Sequence, residues 1–189
     1  MTIAELTPPG AEPITLAEAK AHLRLDDGTE DDLLGSLVRT AREHLERETA
    51  LALIARRFRL YLDAWPQDRV IRICKGPIQT IENVTVYDGD GMPVEADMSA
   101  AVLDGHGRPA RLIVPVLPAP GRQLNGIEID FIAGFGDTGA DVPDTLKRAM
   151  LVHVAAMYEL RGGVCAGEQP GTVPPGYERL VAPFRLRRL

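Results

Sequence analysis

Residues 126–147 read GIEIDFIAGFGDTGADVPDTLK, and the fold class depends on what this stretch is. Gly134, Gly136 and Gly139 spell G-x-G-x-x-G between a strand-like and a helix-like segment, the setting of a dinucleotide-binding fingerprint. In a doubly wound fold the strand before that fingerprint is buried on both faces and almost wholly apolar. Here Ile127, Ile129 and Phe131 alternate with Glu128 and Asp130, the pattern of a strand with one wet face. The third glycine is followed by Ala-Asp-Val-Pro before the helix starts at about Pro143, a residue suited to the first helical position. No second strand follows to present an acid to a ribose, and Glu159, at roughly the right offset, lies in the helix. The stretch therefore reads as an antiparallel strand, a glycine-rich connection and a long helix, with no cofactor expected.

Downstream, Leu146, Ala149, Met150, His153, Val154, Met157 and Leu160 recur at helical spacing, and the helix stops at Arg161-Gly162-Gly163. Upstream, Phe58, Leu60 and Leu62 alternate with Arg57, Arg59 and Tyr61, and VIRIC, IQTIENVTVY and ARLIVPV continue in strand style. Gly76-Pro77, Asp88-Gly89-Asp90-Gly91 and Asp104-Gly105 punctuate them as turns. The N-terminal part is helical. Thr15 to Glu18 has the form of a capping box ahead of Leu16, Ala19 and Leu23. LDDGT breaks that helix. Thr29 then reads as the cap of a second one, with Glu30, Asp31 and Asp32 in its first turn and a stripe of Leu33, Leu37, Val38, Ala41 and Leu45 running to about Leu51.

The expected fold is thus α+β. Two N-terminal helices over 15–51 and a long helix over 143–161 form a bundle, into which an antiparallel sheet or sandwich over 56–135 is inserted. The whole reads as one domain over 1–176, with a glycine- and proline-rich linker at 162–176 and an extended arm at 177–189. The 189 residues can bury a real core, and no apolar run approaches the roughly 20 residues that span a bilayer. MTIAELTPPG has no basic region ahead of an apolar stretch, so no signal peptide is expected.

Chemistry-bearing motifs are few. DGDGMPVE begins like a calcium loop, but counting from Asp88 the fifth position is Met92 and the twelfth is Ser99, so a tight turn is the better reading. His22, His44, His106 and His153 have no metal-ligand spacing. Cys74 and Cys165 form neither a CxxC nor a disulfide framework and are expected reduced. No serine, cysteine or lysine stands in a nucleophile motif, so neither catalytic residues nor metal are expected. A net charge of −6 argues against a surface that grips nucleic acid through its phosphates. The tail differs from the rest: Arg179, Arg185, Arg187 and Arg188 outnumber Glu178, interleaved with Leu180, Val181, Phe184, Leu186 and Leu189. Such a segment suits either a final element packed on its own domain or an arm seated in a groove of another chain.

Four stretches together resemble the head–tail connector (adaptor) proteins of long-tailed phages and phage-like gene transfer agents. They are residues 13–49 (PITLAEAKAHLRLDDGTEDDLLGSLVRTAREHLERET), 75–91 (KGPIQTIENVTVYDGDG), 132–162 (IAGFGDTGADVPDTLKRAMLVHVAAMYELRG) and 180–186 (LVAPFRL). Phe184 stands where the family more often has tyrosine. The resemblance implies a structural subunit, not an enzyme, that forms a ring of about twelve copies. The ring sits on the portal at the capsid vertex, extends the DNA channel and offers a platform to a tail-side stopper or terminator. It implies that Leu180, Phe184, Arg185, Leu186, Arg187, Arg188 and Leu189 dock on the portal, and that DNA passes through the lumen without specific binding. The expected location is the particle neck, assembled in the bacterial cytoplasm, with no membrane partner. Two other readings stay open: a monomeric protein-binding module, and a nucleotide-binding enzyme acting through GFGDTG.

Overall fold

In a computed structural model of the chain, residues 1–160 and 173–186 are described. Cys165, most of the expected linker, Arg187, Arg188 and Leu189 lie outside the described residues. The structure divides into two compact units, Met1–Gly10 with Ala55–Phe135 and Ala11–Ile54 with Gly136–Leu189. The division follows from chemistry, because the strands and the helices each carry an apolar face of their own to bury.

The first unit is built of strands β1 (Thr2–Glu5), β2 (Arg56–Leu62), β3 (Ile71–Ile73), β4 (Ile78–Tyr87), β5 (Pro93–Glu95), β6 (Val102–Asp104), β7 (Ala110–Ile113) and β8 (Ile127–Ala133). They form a five-stranded sheet, β1-β2-β8-β4-β5, and a three-stranded one, β3-β7-β6. Every pairing between them is antiparallel. The alternation in β2 and β8 sets their register, with Phe58 opposite Phe131, Leu60 opposite Ile129 and Leu62 opposite Ile127, all buried. On the other face Arg59 lies opposite Asp130 and grips it with Nε–Oδ1 at 2.6 Å and Nη2–Oδ2 at 2.8 Å. In the smaller sheet Ile71, Ile73, Ala110 and Leu112 face inward.

The second unit holds α1 (Leu16–Leu23), α2 (Asp31–Thr49), α3 (Asp144–Glu159) and α4 (Tyr177–Val181). The capping box forms as read: the Glu18 amide donates to Thr15 Oγ1 at 3.1 Å, and the Thr15 amide donates to Glu18 Oε2 at 2.6 Å. The second cap does not. Glu30, without a side-chain cap bond, precedes α2, while Thr29 turns its hydroxyl and its amide back to Asp27, whose Oδ1 accepts the amide at 3.3 Å in a local turn. Likewise Pro143 is the cap of α3, one residue before the helix proper. Both central helices bury a stripe. On α2 it is Leu34, Val38, Ala41 and Leu45, with Leu33 and Leu37 half-buried; on α3 it is Leu146, Ala149, Met150, His153, Val154 and Met157, while Leu160 is exposed.

The C-terminal end of α2 carries a buried ionic knot. Arg42 donates from Nε to Glu12 Oε2 at 2.8 Å and from Nη1 to Glu46 Oε2 at 3.4 Å. Glu46 Oε1 accepts the Leu53 amide at 2.8 Å, so one pair of side chains fastens both the segment entering α1 and the segment leaving α2.

Candidate functional site

The glycine-rich loop holds itself, and its geometry is that of a packed connection. Gly134 has φ +147° and donates its amide to the Pro77 carbonyl at 2.9 Å. A Cβ on Gly136 would come within 2.3 Å of Asp141 Cγ, and one on Gly139 within 2.4 Å of the Pro13 carbonyl oxygen. Asp141 Oδ2 accepts both the amide and the hydroxyl of Thr138, at 3.0 and 2.8 Å, and these bonds hold its carboxyl below the ordinary carboxylate range. Helix α3 starts at Asp144, five residues after the third glycine, with an acid and not an open cradle of amides in its first turn. The expected result of Gly136→Ala is a stability loss of about 1–3 kcal/mol, read by urea denaturation, because Asp141 must leave Thr138 to make room. NAD or FAD should give no thermal shift in either chain, and a shift with either would revive the enzyme reading.

The aspartate turn is also self-contained. Asp88 Oδ1 accepts the amides of Asp90 and Met92, at 3.0 and 2.8 Å, and Gly91 at φ +78° completes the turn. Among the described residues no group of three or more His, Cys, Asp and Glu side chains is placed to hold a metal ion. No helix among them is long and apolar enough to cross a membrane.

The terminal segment has the most developed geometry. Gly176, at φ +96°, turns the chain into α4, whose Tyr177 and Val181 are one helical turn apart and fully buried against the helical unit. The Tyr177 ring meets His153 and His44 edge-on, with centroids 5.5 and 5.9 Å away, and its hydroxyl donates to Glu48 Oε2 at 3.1 Å. Burial, reinforced by the Glu48 charge, pushes the phenol well above its ordinary range. A single turn, Ala182–Phe184, follows. Arg185 Nε then donates to Glu48 Oε1 at 2.8 Å, and its Nη2 bonds both Glu48 and Glu178.

The residues expected to dock on a portal are therefore divided. Arg185 is committed to Glu48 and Glu178 of its own chain. Leu180, Phe184 and Leu186 are half-buried, and Arg187, Arg188 and Leu189 lie outside the described residues. The segment does not leave the body at residue 177, since Tyr177 is a core side chain. Sequence reasoning placed His153 in the buried stripe of α3 but missed Tyr177, which packs on it, and the other two receptor groups, His44 and Glu48. The available signal was the pair of apolar residues at i and i+4 in YERLV, directly after a glycine.

The sequence pattern described as "Phage gp6-like head-tail connector protein" matches residues 13–104. No curated protein matches the chain. Among solved structures, a chain of "Neck of empty GTA particle computed with C6 symmetry" is 31% identical with a TM-score of 0.81. A chain of "Virion of native gene transfer agent (GTA) particle" is 30% identical at 0.79, and one of "Neck of native GTA particle computed with C12 symmetry" is 32% identical at 0.76. Each alignment covers 100% of this chain and 97% of the other.

Proposed function

The chain belongs to the phage gp6-like head–tail connector family, and from that membership we propose that it is a ring subunit in the neck of a phage or gene transfer agent particle. The full-length likeness to chains solved in gene transfer agent necks carries this reading. Those necks were computed with sixfold and twelvefold symmetry, and a ring of twelve copies satisfies both, since C6 is contained in C12. The contact between copies is then heterologous, one surface of a subunit meeting a different surface of the next.

Each copy brings a net charge of −6, and Asp26, Asp27 and Asp32 stand exposed around the turn between α1 and α2. A lumen of such subunits repels the DNA backbone and lets it slide. The ring works by assembly and passage, without catalysis. Its head-side partner is the portal and its tail-side partner a stopper or terminator. Leu180, Phe184, Leu186, Arg187, Arg188 and Leu189 make the portal contact, from a base fixed by Tyr177, Val181 and Arg185. A symmetry-resolved image of the neck of the particle that carries this chain tests the proposal. Twelve copies about the channel, with their C-termini on the portal, are expected. A single copy, or copies off the channel axis, would sink it.

A further inference from the structure

The seat of Tyr177 brings together more titratable groups than its packing needs. From α2 come His44 and Glu48, from α3 His153, and from the terminal segment Tyr177, Glu178 and Arg185. The two imidazoles lie 4.9 Å apart between centroids. Glu48 faces both sides of the seat: its Oε2 is 3.7 Å from His44 Nε2 and also accepts the Tyr177 hydroxyl. His153 is 3% exposed, and its Nδ1 has no hydrogen-bond partner among the described residues. A proton on Nδ1 meets no acceptor among the described residues and has another imidazole alongside. His44 and His153 are held within long helices, whereas the covering element is one short helix and a single turn. Strain at the pair is therefore relieved most readily by displacing the cover.

We propose that the Tyr177 seat is a proton-operated latch, which holds residues 177–185 on α2 and α3 at neutral pH and releases them when His153, packed against His44, gains a proton. Burial, followed by the neighbouring His44, lowers the His153 pKa from 6.5 to about 4, and the Glu48 charge opposes them only in part. Once uncovered, the ring returns toward its ordinary value. The released state binds more protons between these two values, so release grows as pH falls through that window. On these values the released-to-latched ratio at pH 5 is about 30-fold its value at pH 8. The latch is a property of the single subunit and goes beyond its place in the particle, so its test requires no particle.

The test is an NMR titration of the full labelled chain from pH 8 to pH 5. The Val181 methyl and Tyr177 ring signals are expected to shift toward exposed positions, while the Leu45 and Met150 methyls and the helical circular dichroism hold. The His153→Gln chain, which cannot take up the proton, is expected to stay latched at pH 5. A wild-type segment that stays seated at pH 5, or release of His153→Gln at the same pH as wild type, overturns the latch. A second measurement does not depend on that variant folding. In Tyr177→Ala, compared under conditions where its helical circular dichroism matches that of the wild-type chain, the His153 ring is expected to titrate near its ordinary value, far above the value of about 4 in the wild-type chain. The same titration in both chains overturns the latch as well.

Discussion

Arg42→Met lowers the stability of the helical unit by about 3–5 kcal/mol, several times the effect of replacing an exposed arginine of α2 such as Arg39. Arg42 is 6% exposed and Glu46 5%, so neither charge is screened by solvent in the folded state. In the unfolded chain both are hydrated. Removing the guanidinium leaves the Glu46 carboxylate buried without the cation one helical turn away, and leaves Glu12 without its 2.8 Å donor. Glu46 cannot swing out to water without dropping the Leu53 amide, which would then be a buried orphan. The double variant Arg42→Met with Glu46→Leu should be less damaged than the two single losses added together, because it removes both charges at once. Urea titration followed by far-UV circular dichroism measures all three. A loss under about 1 kcal/mol in Arg42→Met would show that the knot is solvated and does not fasten the unit.

The elements legible in the sequence were those whose signal is local. The Thr15–Glu18 box, the alternation of β2 and β8 and the stripe of α3 each state their geometry within a few residues, and the structure repeats it. The glycine connection was legible by the same logic, since Glu128 and Asp130 alternate with apolar residues, although that face is not wet: Asp130 is buried and paired with Arg59. What escaped depends on distant partners. The four residues of β1 carry no pattern of their own and become a strand only by pairing with β2, with Glu5 bonding Arg56 at 3.0 Å. Thr29 offered a cap, but the Asp27 side chain two residues earlier took its hydroxyl as well as its amide. The buried stripe of α2 runs through Leu34 where the sequence suggested Leu33, a choice of adjacent leucines that only tertiary packing decides. The tail was misread at its root for the same reason. YERLV looks like part of a basic arm until His44, Glu48 and His153, far off in sequence, are seen to receive Tyr177.

That root changes where the arm should be cut. Deleting residues 184–189 is expected to leave a folded subunit that no longer holds on the head, whereas deleting from 177 onward removes a fully buried tyrosine and confounds docking with folding. Large aromatic side chains lost from a core typically cost about 3–5 kcal/mol, enough to unfold a marginal unit. The shorter deletion spares Tyr177, Val181 and the bond from the Tyr177 hydroxyl to Glu48. It gives up the half-exposed Arg185 pairing within the subunit. On the proposed portal contact it also removes the apolar anchors Phe184 and Leu186 together with Arg187 and Arg188. An apolar anchor withdrawn from a desolvated pocket costs roughly 2 kcal/mol or more, and a ring bound through every copy compounds that loss. Circular dichroism should show an intact helical unit, and purified heads should lack the connector ring and fail to accept tails. Phe184→Ala alone should weaken retention less than the deletion does, since every copy loses one anchor but keeps Leu186, Arg187 and Arg188. Heads that keep a full ring and accept tails after the 184–189 deletion would mean that the terminal segment serves only to cover His44 and His153.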